Sequence, residues 1–80
     1  MHIIKILGTG CRNCQRTTKI VKDLVAAEGV SATVEKVEDL PGIMAYGIMS
    51  TPGVVIDEQV VHAGGVPSRK AVLGWLEALR

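Results

Sequence analysis

The sequence predicts an α/β fold: one four-stranded mixed sheet with helices on both faces, in the order β-α-β-α-β-β-α. Three observations in the 80 residues predict it. A short apolar run, a long amphipathic stretch and a second short run follow one another near the N-terminus, which is the pattern of a βαβ unit. Two apolar runs late in the chain are separated by Asp57-Glu58-Gln59, which is the pattern of a hairpin. The C-terminal stretch again has helical spacing. The length allows one core, so residues 1–80 are expected to form a single domain.

Each element has its own justification. His2 to Leu7 is rich in β-branched residues and apolar on both faces apart from Lys5, as a strand inside a sheet would be. Gly8-Thr9-Gly10 ends it, because glycine permits turns and close backbone approach. A helix is predicted from near Cys11 to about Glu28. Ile20, Val21, Leu24, Val25 and Ala27 recur on one face, and Gln15, Arg16, Lys19, Lys22 and Asp23 on the other. Gly29 stands where a C′ glycine stops a helix. Thr33 to Val37 reads as the second strand, parallel to the first through a right-handed crossover.

Asp39 is a fitting N-cap for a short helix with Pro41 in its first turn, weakened at its end by Gly47. Met44 is expected to fill a gap in the core. Gly53 to Ile56 and Val60 to Ala63 form the hairpin arms. Ser68 is an N-cap for the last helix, with Val72, Leu73, Leu76 and Leu79 on its buried side and Trp75 anchored against the sheet.

Composition excludes several classes of function. With 48% apolar residues the chain is not intrinsically disordered. A net charge of +1, one Trp, one Tyr and no Phe provide neither a basic footprint nor a stacking platform for nucleic acid. The longest uncharged stretch, Leu40 to Ile56, is broken by Pro41, Pro52 and three glycines, so no membrane span is expected. The N-terminus has no signal-peptide pattern, and the expected location is the cytoplasm. Two cysteines three positions apart in a reducing compartment read as redox or metal chemistry. Arg16, Lys19 and Lys22 read as the solvated face of the first helix, and His2 and His62 as solvated or hydrogen-bonded side chains.

The chemistry is expected at Cys11-Arg12-Asn13-Cys14, between a strand and a helix. Two residues between cysteines at a helix start can bring the sulfurs within disulfide distance. The unpaired N–H groups and the dipole there favour a thiolate at Cys11, and Arg12 adds a cation. Both pull the Cys11 pKa below the free value of about 8.5. Cys14 lies one turn further in, on the face of Thr18, Val21 and Val25, and is expected to be more buried and less ionised. That asymmetry suits an attacking and a resolving thiol.

Cys11-Arg12-Asn13-Cys14 after the first strand, Thr51-Pro52 before the third and Gly64-Gly65 after the fourth together resemble the thioredoxin superfamily over essentially the whole chain. The resemblance is to its small, glutaredoxin-sized members with a Gly-x-Gly-Cys-x-x-Cys start. It implies a thioredoxin-like fold and thiol–disulfide exchange, with Cys11 as nucleophile and Cys14 as resolving thiol. It implies no bound cofactor, the redox group being the Cys11–Cys14 pair itself. It also implies that Pro52 is cis and faces the cysteines, whereas local chemistry alone favours trans. Thr51, Pro52, Arg12, Asn13, Gly64 and Gly65 would then meet the substrate, a disulfide-containing protein. A flavin-dependent reductase of the thioredoxin reductase type would supply electrons. The sequence also departs from the family pattern. His2 to Leu7 lacks the buried acid of thioredoxins, and Val66-Pro67-Ser68 lacks the acid that holds the glutathione amine in glutaredoxins.

Two rival readings come from other classes. Gly8-Thr9-Gly10-Cys11-Arg12-Asn13-Cys14 also resembles the loop of copper-chaperone domains, in which two thiolates hold Cu(I), or here Zn(II). Those domains usually carry Met where this chain has Thr9, and they end on a strand. The other rival is a non-catalytic thioredoxin-like adaptor binding partners beside Pro52.

Overall fold

The computed structural model describes Met1 to Leu79. Its strands are β1 (His2–Leu7), β2 (Ala32–Val37), β3 (Gly53–Ile56) and β4 (Gln59–Ala63), and its helices are α1 (Arg12–Glu28), α2 (Leu40–Met44) and α3 (Arg69–Glu77). The strands form one sheet in the order β2-β1-β3-β4. The doubly apolar β1 lies inside it. β1 runs parallel to β2 from His2↔Ala32 to Leu7↔Val37, and antiparallel to β3 from Ile4↔Ile56 to Leu7↔Gly53. The architecture is the thioredoxin-like mixed sheet that the sequence predicts.

Strand alternation divides the core into two layers. Ile4, Ile6, Val54 and Ile56 face α1 and α3, packing on Val21, Leu24, Val72 and Leu76. On the other face Leu7 and Val55 pack on Ile43 of α2, bordered by Val37, Tyr46 and Ile48. Beyond α2 that face carries a polar cluster. Lys5 Nζ donates to Tyr46 OH (2.9 Å) and to Glu58 Oε1 (2.7 Å), and Tyr46 OH donates to Glu58 Oε2 (3.0 Å). The Lys5 ammonium is thereby held well above its ordinary range, chiefly by its bond to Glu58.

Two local expectations are corrected. Gln59 belongs to β4, not to the turn: it pairs with Ile56, leaving a two-residue connection. Asp57 and Glu58 take φ of 49° and 69°, as a type I′ turn demands of both central residues. The Asp57 carboxylate accepts from Ile3 N (3.0 Å) and pairs with His2 Nδ1 (2.6 Å), fastening this turn to the start of β1. Met44 is not in the core but 71% exposed, because the five-residue α2 turns only Ile43 fully inward.

Helix ends follow the expected chemistry. Ser68 Oγ accepts from Ala71 N (3.1 Å) and Asp39 Oδ2 from Gly42 N (2.8 Å). Among the described residues no helix is long and apolar enough to cross a membrane. The C-terminal ends of β1 and β2, the start of β3 and the end of β4 meet at one edge of the sheet. The loops leaving that edge build the site.

Candidate active site

Cys11 is the N-cap of α1, in extended conformation (φ −66°, ψ 165°). Its sulfur accepts from Cys14 N (3.3 Å), the geometry in which an oxygen-bearing cap would normally serve. Cys11 and Cys14 are joined in a disulfide with Cα atoms 5.1 Å apart. Cys11 is exposed, whereas Cys14 is 4% exposed. Thr18 Oγ1 donates to Cys14 O (2.9 Å) and Thr17 Oγ1 to Asn13 O (2.8 Å), so both buried hydroxyls are bonded within the first turns of the helix. Arg12 and Asn13 stand in solvent between the two cysteines.

Two glycines shape the approach to the sulfurs. Gly8 N donates to Val37 O (3.0 Å), which fixes its backbone. A β-carbon on Gly8 would run into Cys14 Sγ, so the buried sulfur lies over the strand end only because that position is bare. Gly10 has φ +87°, a conformation open to glycine, and its carbonyl accepts from Gln15 Nε2 (3.1 Å).

The third and fourth strands bring the remaining residues. The Thr51–Pro52 peptide is cis. Thr51 is exposed and Pro52 buried, and Thr51 Cβ lies 3.9 Å from where a Gly8 β-carbon would be, which sets this loop beside Cys14. Pro52 O accepts from Gly64 N (2.9 Å), tying the end of β4 to the same loop. Gly65 stands one residue further out, its carbonyl bonded to His62 Nε2 (3.0 Å). The His62 ring also meets Trp75 at 5.8 Å between centroids, which is how Trp75 is anchored to the sheet. His2 is at the far edge of the sheet, between Asp57 and Leu79 O.

The sequence did not single out Lys36 and Glu38. A cleft of about 60 Å³, room for a few waters, reaches Cys14 between Gly8, Gly10 and Thr18 on one side and Lys36 and Glu38 on the other. Glu38 Oε2 would lie 3.2 Å from a β-carbon on Gly10. The available signal was weak: Lys36 is the polar end of the row Ala32, Val34, Lys36 that faces α1.

Known proteins agree with this geometry. A family model described as a thioredoxin domain matches residues 2–77. A thioredoxin of Methanothermobacter thermautotrophicus is 33% identical over 72 residues, covering 90% of this chain and 94% of that protein. A thioredoxin of Methanocaldococcus jannaschii is 40% identical over 68 residues, covering 85% and 78% respectively. With a dithiol at the mouth of the first helix, a cis-proline loop beside it and this match along nearly all its length, the chain belongs to the thioredoxin family of thiol–disulfide oxidoreductases.

Proposed function

We propose that Cys11 is the attacking thiol and Cys14 the resolving thiol of a carrier that reduces protein disulfides. The observation that supports this most is the inequality of the two sulfurs, one exposed at the cap of a 17-residue helix and the other 4% exposed. The cap N–H groups and helix dipole stabilise a thiolate at Cys11. That thiolate attacks one sulfur of a substrate disulfide, forming a mixed disulfide and releasing the other substrate sulfur as a thiolate. Cys14 loses its proton and attacks the Cys11 sulfur. The Cys11–Cys14 bond forms, the remaining substrate sulfur leaves, and two electrons have passed to the substrate.

Thr51 offers its backbone to a substrate chain in extended form, across Pro52, while Arg12, Asn13 and the Gly64-Gly65 turn border the same opening. A flavin-dependent reductase returns two electrons to the disulfide. The cytoplasm, whose redox poise keeps such a dithiol cycling, is the proposed setting. The carrier holds no resident cofactor or metal in this reading. Replacing Cys11 by Ser is expected to abolish disulfide reduction, and Cys14→Ser to accumulate a mixed disulfide visible by mass. Undiminished reduction by the Cys11→Ser protein would refute the assignment.

A further inference from the structure

Charge is distributed along α1 and α3 in a way the fold does not require. Both helices begin at the dithiol edge. α1 starts at Cys11, and α3 starts beyond Ala63 and ends where Leu79 O meets His2 at the opposite edge. Arg12 and Arg16 lie in the first turns of α1, and Arg69 and Lys70 open α3; all four are exposed. Neither helix has an acidic residue in its first turn. The carboxylates of these helices, Asp23, Glu28 and Glu77, come in their second halves.

This polarity opposes the helix dipole, which favours anions at the start and cations at the end. It therefore works against helix stability in both elements. Of the other described cations, Lys5 pairs with Glu58, Lys19 with Asp23 and His2 with Asp57, whereas Lys22 and Lys36 have no ion pair. Among the described residues Arg12, Arg16, Arg69 and Lys70 have no ion-pair partner. The carboxylates at the dithiol edge, Glu38 and Asp39, follow β2, and Glu38 Oε2 would lie 3.2 Å from a β-carbon on Gly10. Asp39 is turned to Gly42 N, and Glu38 shares the Cys14 cleft with Lys36.

We infer that the dithiol end of α1 and α3 is an electropositive docking surface for disulfides carried on acidic protein segments. The inference rests on the thiol-exchange reading and adds a substrate class to it. Unpaired cations beside the reacting thiol raise the encounter rate of an anionic partner and lower that of a cationic one. The effect is bound to fade as salt shortens the screening length.

The test uses the reduced full-length chain and two synthetic peptides that share one disulfide, flanked by aspartates in one and by lysines in the other. Oxidation of the dithiol is followed by acid quench and mass. At low salt the aspartate peptide is expected to react about tenfold faster, and the ratio to fall towards one near 0.5 M salt. A chain carrying Arg16→Glu, Arg69→Glu and Lys70→Glu is expected to reverse the preference, while its rate with uncharged hydroxyethyl disulfide stays that of the parent. A ratio near one at low salt, or a ratio the three substitutions leave unchanged, overturns the inference. Should the substituted chain not fold, the salt dependence of the parent chain decides alone. If neither peptide nor hydroxyethyl disulfide reacts, thiol exchange itself fails and the docking surface with it.

Discussion

Replacing Gly8 by alanine separates the two redox states of this protein. Gly8 sits at the end of β1 with its N–H bonded to Val37 O, so its backbone cannot retreat. An added β-carbon would collide with Cys14 Sγ and lie 3.1 Å from Cys14 Cβ. In the disulfide, Sγ is covalently held to Cys11 and has no alternative position. In the dithiol, rotation about Cys14 χ1 can carry the sulfur aside. The collision therefore penalises the oxidised form more than the reduced one. Overpacking of this kind costs about 1–3 kcal/mol. Since about 30 mV corresponds to 1.4 kcal/mol for two electrons, Gly8→Ala is expected to raise the reduction potential by about 20–65 mV. The assay is equilibration in graded thiol–disulfide buffers, with the oxidised fraction counted by alkylation and mass. An unchanged or more negative potential, with the reduced protein still folded, would refute the reasoning.

Other outcomes follow from the same structure. Gly10→Ala places a side chain at φ +87°, at a cost of about 1–2 kcal/mol, and is expected to destabilise both redox forms alike in urea titrations without moving the potential. Ser68→Ala removes the cap bond to Ala71 N and is expected to cost about 0.5–2 kcal/mol, read as a lower melting temperature. Acid is expected to weaken the fold. Asp57 is held below its ordinary pKa chiefly by the Ile3 N–H and then by His2, and Glu58 chiefly by Lys5 and then by Tyr46. Depressed carboxylates contribute fully above their ordinary values of about 4, and that contribution is lost as pH falls through the lowered ones. Denaturation midpoints measured from pH 7 down to pH 2 should decline below about pH 4, and less steeply in Asp57→Asn.

What the sequence made legible was what short-range patterns encode. β1 was legible because apolar residues on both faces have only one comfortable place, inside a sheet. The start of α1, its stop at Gly29 and the Ser68 cap were legible because capping is local chemistry. The strand-to-helix placement of Cys11 and Cys14 followed from those boundaries. The exposure of Met44 is not legible because five residues of helix are too few for spacing to define a face. Gln59 reads as part of the turn because Asp57-Glu58 lacks the glycine that usually marks a type I′ connection. The Lys5, Tyr46 and Glu58 cluster joins residues far apart in the chain and leaves no periodic trace. Lys36 and Glu38 reach the Cys14 cleft only once the register of β2 against β1 is known. The cis peptide before Pro52 was available from the family resemblance and not from the dipeptide itself.

The central claim is that the helix mouth ionises Cys11 ahead of Cys14. Its most direct measurement is the pH dependence of alkylation of the reduced protein, with each cysteine resolved by peptide mass. The account predicts that Cys11 is modified first, with an apparent pKa below the free-thiol value of about 8.5, while Cys14 stays protected. Modification of Cys14 first, or a Cys11 pKa at or above that value, would contradict it.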